Sequence, residues 1–251
     1  MTPLIIANWK MHATIDETVK LLTEIRFSLN NPDGVEVVFA PPFTALYSAH
    51  IALQETNFKL AAQDLFWELE GPYTGEIAGS FLKDVGCHYV IVAHSERRRS
   101  FGETDEIANK KVRAALTQDL IPILCIGETD AERKSNQTME VLQKQLKRDL
   151  QEIAMSDLKN FVVAYEPVWA IGTGNNATVE QVEEVHSFIR NTLAKMYDAP
   201  TASRIRIIYG GSVKGDNAFS LLHTKNVDGL LVGGASLIPE QFIKICQSKE
   251  S

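Results

Sequence analysis

Cysteine is scarce in this sequence of 251 residues. The three cysteines, Cys87, Cys125 and Cys246, lie far apart, and no two of them have the Cys-x-x-Cys spacing. The odd number and the wide spacing argue against a disulfide scaffold and against a structural zinc site, so no metal centre is expected. Free thiols are typical of a reducing compartment.

The sequence also lacks a long apolar run and an excess of basic residues. No stretch reaches the length of about 18 apolar residues that predicts a membrane span. The apolar N-terminal run turns polar at Asn8 without a preceding basic stretch, unlike a signal peptide. We therefore expect a cytoplasmic protein without a membrane partner. The 25 Lys and Arg against 32 Asp and Glu disfavour a nonspecific nucleic-acid binder, although a few local donors suffice for one small anion.

Short apolar segments rich in β-branched residues recur along the whole chain. Each is nearly continuous rather than alternating, which is typical of strands that are covered on both faces. The predicted strands are residues 4–7, 35–40, 59–62, 89–93, 121–126, 161–165, 205–209 and 229–232.

Helical patterns separate these strands. Apolar residues recur at steps of three or four in 15–29, 105–116 (behind the N-cap candidate Thr104), 138–153 and 179–196, and shorter helices are predicted at 45–54, 78–85, 215–223 and 239–246. Eight strand–helix pairs predict parallel strands and hence one α/β domain, a (β/α)8 barrel over residues 1–251. The alternative is an open doubly wound sheet, but no Gly-x-Gly-x-x-Gly follows the first strand.

Polar residues and glycines collect where the predicted strands end. Because a barrel carries its chemistry at the carboxyl ends of its strands, these residues are the candidates for a site. They are Asn8 and Lys10 after strand 1, His94, Ser95 and Glu96 after strand 4, Glu166 after strand 6, Gly210, Gly211 and Ser212 after strand 7, and Gly233 and Gly234 after strand 8.

The two glycine pairs favour a phosphate site. Consecutive glycines let backbone N–H groups approach an anion, and residues 233–236 would open a short helix whose N-terminus attracts negative charge. The loops after strands 7 and 8 often hold phosphate in barrels. Taken alone, each pair is also explained by a tight turn.

Three titratable residues are candidates for catalysis. A helix N-terminus near His94 would lower its pKa and favour a neutral imidazole that donates a hydrogen bond. Apolar neighbours would raise the pKa of Glu166 and its strength as a base. The alternatives are a structural histidine, a salt-bridged carboxylate and, for Lys10, a solvated side chain. Segment 167–177 has an apolar middle and two glycines without a helical period, which indicates a mobile lid.

The sequence resembles the triosephosphate isomerase family over nearly its whole length. The similar segments occur in the family's order and at its spacing: 8–11 (NWKM), 93–98 (AHSERR), 125–128 (CIGE), 165–174 (YEPVWAIGTG), 209–213 (YGGSV) and 231–235 (LVGGA). The resemblance implies a TIM barrel that interconverts dihydroxyacetone phosphate and D-glyceraldehyde 3-phosphate without a cofactor.

The resemblance also implies roles for individual residues. Glu166 would move a proton between C1 and C2, His94 would be a neutral electrophile, and Lys10 would supply positive charge. The substrate-binding set would be Asn8, Lys10 and the backbone N–H groups of Gly172, Ser212, Gly233 and Gly234, with Glu96 and Cys125 as supporting residues. Two pairs match partners that bond across the closed lid in the family, Glu128 with Trp169 and Tyr209 with Ala177.

A homodimer is implied in the same way. Segment 71–76 resembles the loop that inserts into a neighbouring subunit, where Thr74 would approach the partner's Asn8 and Lys10. The chain departs from the family in its lid, which ends with Asn175 and Asn176 before Ala177 instead of Lys-Thr-Ala and thus bears on lid kinetics. It also departs at Asp64, where the family usually has Asn, which predicts an extra charge near the dimer contact.

Two other functions are compatible with the residues alone. A Schiff-base aldolase would use Lys10 as its nucleophile. A barrel that binds phosphate without catalysis would need only the glycine-rich turns, although the combination of Glu166, His94 and Lys10 argues against it.

Overall fold

Strands and helices alternate in the computed structural model, which describes residues 1–29, 32–171 and 177–249. The strands are β1 (Leu4–Asn8), β2 (Glu36–Ala40), β3 (Lys59–Ala62), β4 (Cys87–Val92), β5 (Ile121–Ile126), β6 (Val162–Tyr165), β7 (Arg206–Tyr209) and β8 (Gly229–Val232). The helices are α1 (Ile15–Leu29), α2 (Leu46–Ala52), α3 (Gly79–Asp84), α4 (Ser95–Ser100), α5 (Asp105–Thr117), α6 (Asp130–Lys134), α7 (Thr138–Asp149), α8 (Val179–Met196), α9 (Ala199–Arg204), α10 (Ala218–Leu222) and α11 (Pro239–Gln247). Short 3-10 helices cover Phe43–Ala45, Met155–Asn160, Val168–Ala170 and Gly234–Leu237.

The eight strands of the described chain form a closed barrel in sequence order, and neighbouring strands are parallel. The barrel closes between β8 and β1, where Gly229 pairs with Leu4. A Cβ at Gly229 would lie 2.0 Å from the Leu4 carbonyl oxygen, so this closure requires glycine. The predicted (β/α)8 barrel is confirmed, and the open doubly wound sheet is wrong.

Alternate residues of each strand fill two apolar layers. In β1, Leu4 and Ile6 belong to the cluster inside the barrel, whereas Ile5 and Ala7 belong to the cluster between the strands and the helices. All four side chains are completely buried. Burial of a large aliphatic side chain stabilises the fold by about 1.5–3 kcal/mol. Two-sided burial therefore explains why the strands are continuous apolar runs.

The predicted strands agree with the observed ones to within two residues at either end. Helix α7 is shorter than predicted, because it ends at Asp149 rather than at residue 153. The predicted turn of helix at 233–236 is the 3-10 helix Gly234–Leu237. None of the helices in the described ranges is long and apolar enough to cross a membrane.

Three short helices, α4, α6 and α9, escape the sequence analysis because they are too short and too polar to show an apolar period. For two of them, the N-cap residue is the remaining sequence signal of a helix start: Thr129 forms a capping box with Glu132 before α6, and Asp198 caps α9. Helix α4 is capped by the ring of His94, which accepts the Glu96 N–H. Histidine is not among the preferred N-cap residues, so this helix had no local signal.

Candidate active site

The carboxyl ends of the strands surround a cavity of 540 Å³. Predicted site residues from five strand ends line this cavity. They are Asn8 at the end of β1, Lys10 after β1, His94 after β4, Glu166 after β6, Ser212 after β7, and Gly233 and Gly234 after β8. Apolar side chains of Ile171, Val213 and Leu231 also line the cavity. The cavity thus combines titratable groups with a partly apolar surface.

Glu166 and His94 are in direct contact at this cavity. The His94 Nε2 lies 2.8 Å from Glu166 Oε1, and the Ser95 N–H donates to Oε2 at 2.8 Å. The Glu166 backbone continues the β6 ladder, since its N–H donates to the Ile126 carbonyl at 2.8 Å. Glu166 is 1% exposed, so its carboxylate meets protein donors instead of bulk water.

The expectation that apolar neighbours raise the pKa of Glu166 is wrong for this arrangement. Burial does raise its pKa, but the His94 ring, the Ser95 N–H and the charge of Lys10 lower it by more, and the net shift is downward. Glu166 is therefore a buried carboxylate that can accept a proton. Because the same bonds weaken it as a base, it must exchange them for other contacts before it can act as one.

Two hydrogen bonds place a ring proton of His94 on Nε2. The expectation that a helix N-terminus lowers the pKa of His94 is wrong for this arrangement: burial lowers it, but the charge of Glu166 and the hydrogen bond to Glu166 raise it by more, and the net shift is upward. The Glu96 N–H nevertheless donates to Nδ1 at 3.2 Å. A ring nitrogen that accepts a hydrogen bond carries no proton, so the proton is on Nε2 and points at Glu166.

Lys10 is held in place along its whole length. Its φ of 53° lies in the left-handed region, its N–H donates to Asn8 Oδ1 at 3.0 Å, and Gln63 Nε2 donates to its carbonyl at 2.8 Å. The ammonium lies 2.7 Å from Glu96 Oε1. A salt-bridged ammonium is a poor nucleophile, which disfavours the Schiff-base alternative and favours a role as a fixed positive charge.

The loops after β7 and β8 form the other half of the cavity. A Cβ at Gly211 would lie 2.1 Å from the Tyr209 hydroxyl oxygen, so only glycine lets the backbone pass this ring. Gly234 has open space where a Cβ would stand. In the same loop, Ser236 Oγ donates to the Gly233 carbonyl at 2.7 Å, which ties that turn to the protein. The candidate contact Gly172 lies outside the described residues.

Both pairs expected at the ends of segment 167–177 are hydrogen bonded. Trp169 Nε1 donates to Glu128 Oε1 at 2.9 Å, and the Ala177 N–H binds the Tyr209 hydroxyl. Residues 168–170 form a 3-10 turn, so the segment is not irregular at its start. The predicted lid and its departure from the family depend on Gly172, Asn175 and Asn176. These three residues are not among the described ones.

The supporting residues lie in different surroundings. Glu96 contacts Lys10 at the edge of the cavity. Cys125 is completely buried, and burial together with the nearby Glu166 charge raises the pKa of its thiol well above the ordinary value, so it is not a thiolate nucleophile. Thr74 is exposed on the segment between β3 and α3 and does not line the cavity.

The extra charge expected at Asp64 is buried. Its carboxylate lies 2.5 Å from Lys111 Nζ and 3.0 Å from Arg97 Nε, and both cations also contact Glu103. Burial raises the pKa of Asp64, and the Lys111 charge offsets part of that rise. The departure at this position therefore changes a buried ion-pair cluster that includes an arginine of helix α4.

Two residues of the site were not singled out in this role by the sequence. The Ser95 N–H binds Glu166, and Gln63 binds the carbonyls of Lys10 and Ala40. The position of Ser95 after a strand end was a signal for the first, but a backbone donor leaves no side-chain pattern. Among the residues that the structure describes, no group of three or more His, Cys, Asp and Glu side chains could hold a metal ion.

The closed barrel and the carboxylate–imidazole contact at its carboxyl rim define the class of the molecule, a (β/α)8-barrel enzyme. A family model described as triosephosphate isomerase matches residues 3–249. The triosephosphate isomerase of Geotalea uraniireducens (strain Rf4) is 50% identical over 248 residues, which cover 99% of each chain. That of Moorella thermoacetica is 50% identical over 243 residues, or 97% of each chain.

A solved structure is similar to this chain as well. The crystal structure of triosephosphate isomerase from Bartonella henselae is 39% identical and superposes with a TM-score of 0.90 over 100% of both chains. The chain belongs to the triosephosphate isomerase family. It is an isomerase that interconverts triose phosphates, as the resemblance in the sequence implied.

Proposed function

We propose that Glu166, His94 and Lys10 carry out the isomerisation between dihydroxyacetone phosphate and D-glyceraldehyde 3-phosphate. Glu166 moves the proton between C1 and C2, His94 donates from Nε2 to the oxygens of the enediolate, and Lys10 stabilises its negative charge. The observation that carries the proposal is the 2.8 Å contact between Glu166 and His94 in a cavity that Lys10 also lines. One small substrate can meet all three groups there.

The first step is exchange of hydrogen-bond partners. Each carboxylate oxygen of Glu166 accepts a hydrogen bond, one from the Nε2–H of His94 and one from the N–H of Ser95. A substrate carbonyl that enters between them accepts the Nε2–H, and the carboxylate is released toward the adjacent carbon. Loss of these bonds raises the pKa of Glu166 toward that of a stronger base at the moment when a base is needed.

The second step is proton transfer with charge stabilisation. A C–H next to a carbonyl is a weak acid, so the oxygen must be stabilised as negative charge develops on it. Lys10 and His94 are donors whose positions are already set by Asn8, Gln63 and Glu96, and they need little reorganisation. A positioned base contributes roughly 10²–10⁴ in rate, or about 3–5 kcal/mol.

The phosphate group binds at the glycine-rich loops in this proposal. Backbone N–H groups of Ser212, Gly233 and Gly234 contact it, together with Gly172. Support comes from the first three residues, which line the same cavity as Glu166, and from the open space beside Gly234. The phosphate does no chemistry, but its binding energy can hold the site closed and exclude water. The chain's own residues suffice for every step, so we propose no cofactor.

We further propose a homodimer in which segment 71–76 inserts into the neighbouring subunit. Thr74 would then approach Asn8 and Lys10 of the partner subunit. Support comes from large apolar side chains that are exposed in the single chain, Met11 at 93% beside Lys10 and Tyr73 at 40% beside Thr74. Sedimentation velocity of the purified protein tests this, and a monomer at micromolar concentration contradicts it.

A cytoplasmic location is proposed from the chemistry of the chain. Its three cysteines are free and buried, which suits a reducing compartment. Fractionation of cells that express the tagged chain checks the location.

A coupled assay of the purified protein with glyceraldehyde 3-phosphate tests the mechanism together with solvent-deuterium exchange. The proposal requires turnover and incorporation of solvent deuterium at C1 of the dihydroxyacetone phosphate that forms, because C2 of the substrate loses a proton and C1 receives one. Ligand binding without deuterium exchange would identify a phosphate-binding barrel. A borohydride-trapped adduct on Lys10 with dihydroxyacetone phosphate would identify the aldolase chemistry instead.

A further inference from the structure

Arg98 of helix α4 connects the strand ends behind the active site. Its Nε donates to the Ala93 carbonyl at 3.0 Å, and its Nη2 donates to the Cys125 carbonyl at 3.2 Å. The rest of the guanidinium binds two carboxylates, Asp105 at 2.8 Å and Asp149 at 2.6 Å. The side chain therefore joins the ends of β4 and β5 to helices α5 and α7.

Arg98 binds the carbonyl of Ala93, which directly follows β4 and has an unfavourable backbone conformation. Ala93 has a φ of 56°, in the left-handed region where a residue with a Cβ costs about 1–3 kcal/mol. His94 follows directly, and the orientation of the Ala93 peptide sets the direction in which the His94 side chain leaves the strand. Arg98 thus binds the residue that directly precedes His94, whose ring faces Glu166.

Asp149 holds Arg98 from the far side. It ends helix α7 and is completely buried, and its Oδ1 finds no hydrogen-bond partner in the described part of the chain. A buried carboxylate with an unsatisfied oxygen is costly for stability. Its other oxygen binds Nη2 of Arg98, the nitrogen that also donates to the Cys125 carbonyl.

We propose that Arg98, oriented by Asp149, is a positioning residue for His94: it holds the Ala93 carbonyl in the conformation that directs the Nε2–H of His94 at the substrate oxygen. The inference rests on the role given to His94 in the proposed function. Arg98 touches no substrate. It acts through the backbone, and its loss reduces turnover rather than phosphate binding, because the carbonyls and carboxylates that it binds do not belong to the glycine-rich loops after β7 and β8.

The test compares Arg98→Lys and Asp149→Ala with Asp149→Asn. A lysine ammonium cannot reach both carbonyls and both carboxylates at once, and alanine removes the acceptor for Nη2. Asparagine keeps an acceptor oxygen in the same place and is expected to restore most of the activity. Arg113→Lys is the matched control, since Arg113 pairs with Glu152 on the exposed side of α5, away from the cavity.

We expect kcat to fall roughly 10–100-fold in Arg98→Lys and Asp149→Ala, the order of loss that a displacement of about 1 Å produces. KM and the affinity for inorganic phosphate stay within about twofold. ¹⁵N NMR of His94 in the free enzyme is expected to show a smaller population of the Nε2–H tautomer in both variants. These readouts separate positioning from stability, which is followed by thermal unfolding.

Wild-type kcat per folded site with an unchanged His94 tautomer overturns the inference, even if the variants are less stable, because Arg98 is then only a structural clamp. If Arg98→Lys does not fold, Asp149→Ala decides by the same criteria. His94→Gln, measured in parallel, distinguishes a failure of the proposed mechanism from a failure of the positioning role alone. Full activity of His94→Gln contradicts the proposed mechanism itself, whereas its inactivity beside fully active Arg98 and Asp149 variants contradicts only the positioning role.

Discussion

Replacement of Glu166 by glutamine removes the proposed base while it keeps the size of the side chain. Both carboxylate oxygens of Glu166 accept hydrogen bonds, one from His94 Nε2 and one from the Ser95 N–H. A glutamine amide has only one oxygen, so its NH₂ group must face one of these donors. A change of tautomer at His94 does not relieve the conflict, since Nδ1 already faces the Glu96 N–H.

The structure therefore predicts two separate losses for Glu166→Gln. The variant loses the base, which lowers kcat by roughly 10²–10⁴, or about 3–5 kcal/mol of transition-state stabilisation. It also leaves a buried donor without an acceptor, which lowers the free energy of unfolding by about 1–3 kcal/mol. Inorganic phosphate affinity changes little, because the loops after β7 and β8 are not altered.

The assay combines coupled turnover, phosphate titration and urea unfolding of the wild type and of Glu166→Gln. Glu183→Gln, which neutralises an exposed carboxylate on α8, controls for the change in net charge. Unchanged turnover removes Glu166 from its catalytic role. A Glu166→Gln variant that is as stable as the wild type refutes the assignment of donors on both sides of the carboxylate, and with it the neutral Nε2–H tautomer of His94.

Three further perturbations test other parts of the site and fold. Lys10→Ala is expected to lower kcat/KM by about 10²–10³, as loss of one fixed donor to an oxyanion does, and a retained kcat/KM would show that its charge is not needed. Gly211→Ala places a methyl group 2.1 Å from the Tyr209 hydroxyl oxygen, and such overpacking lowers the free energy of unfolding by about 1–3 kcal/mol. Adding Tyr209→Phe to the Gly211→Ala chain should recover part of the thermal stability. A lack of recovery points to another clash. Burial raises the pKa of Glu36, but neighbouring hydrogen bonds and basic side chains lower it to about 2. Because this folded pKa lies below the unfolded value, the stabilisation is present above about pH 4.5 and is lost as the pH falls toward 2. Glu36→Gln should flatten this part of the stability profile in urea unfolding, and an unchanged slope would exclude Glu36 as its source.

Much of the fold could be predicted because its signals are local. The strand at 121–126 and the helix at 179–196 have the predicted bounds, since a strand buried on two faces and an amphipathic helix each leave a pattern within one segment. Helix α4 left no such pattern, because its arginines bind carboxylates distant in sequence, Arg97 with Asp64 and Arg98 with Asp149, instead of forming an apolar face. The arginine that we assign to positioning lies in this helix.

The chemistry of single residues was less predictable than their location. The sequence indicated that Glu166 lies at a strand end among apolar residues, and from that alone its pKa was expected to rise. The observed downward shift depends on His94 and Ser95, which are about seventy positions away in the chain. Likewise, the charge of Asp64 was visible in the sequence, but its burial against Lys111 was not.

The amino-acid order by itself determined the alternation of strands and helices and the identity of the polar residues at each strand end, because periodicity and chain order are properties of neighbouring residues. Only the tertiary structure decided which of those residues touch. Parallel pairing through β5 brings the ends of β4 and β6 to the same rim, and closure of the barrel places the ends of β8 and β1 beside each other. Contact energies and pKa shifts depend on distances of a few ångströms between such ends, and no local pattern encodes them.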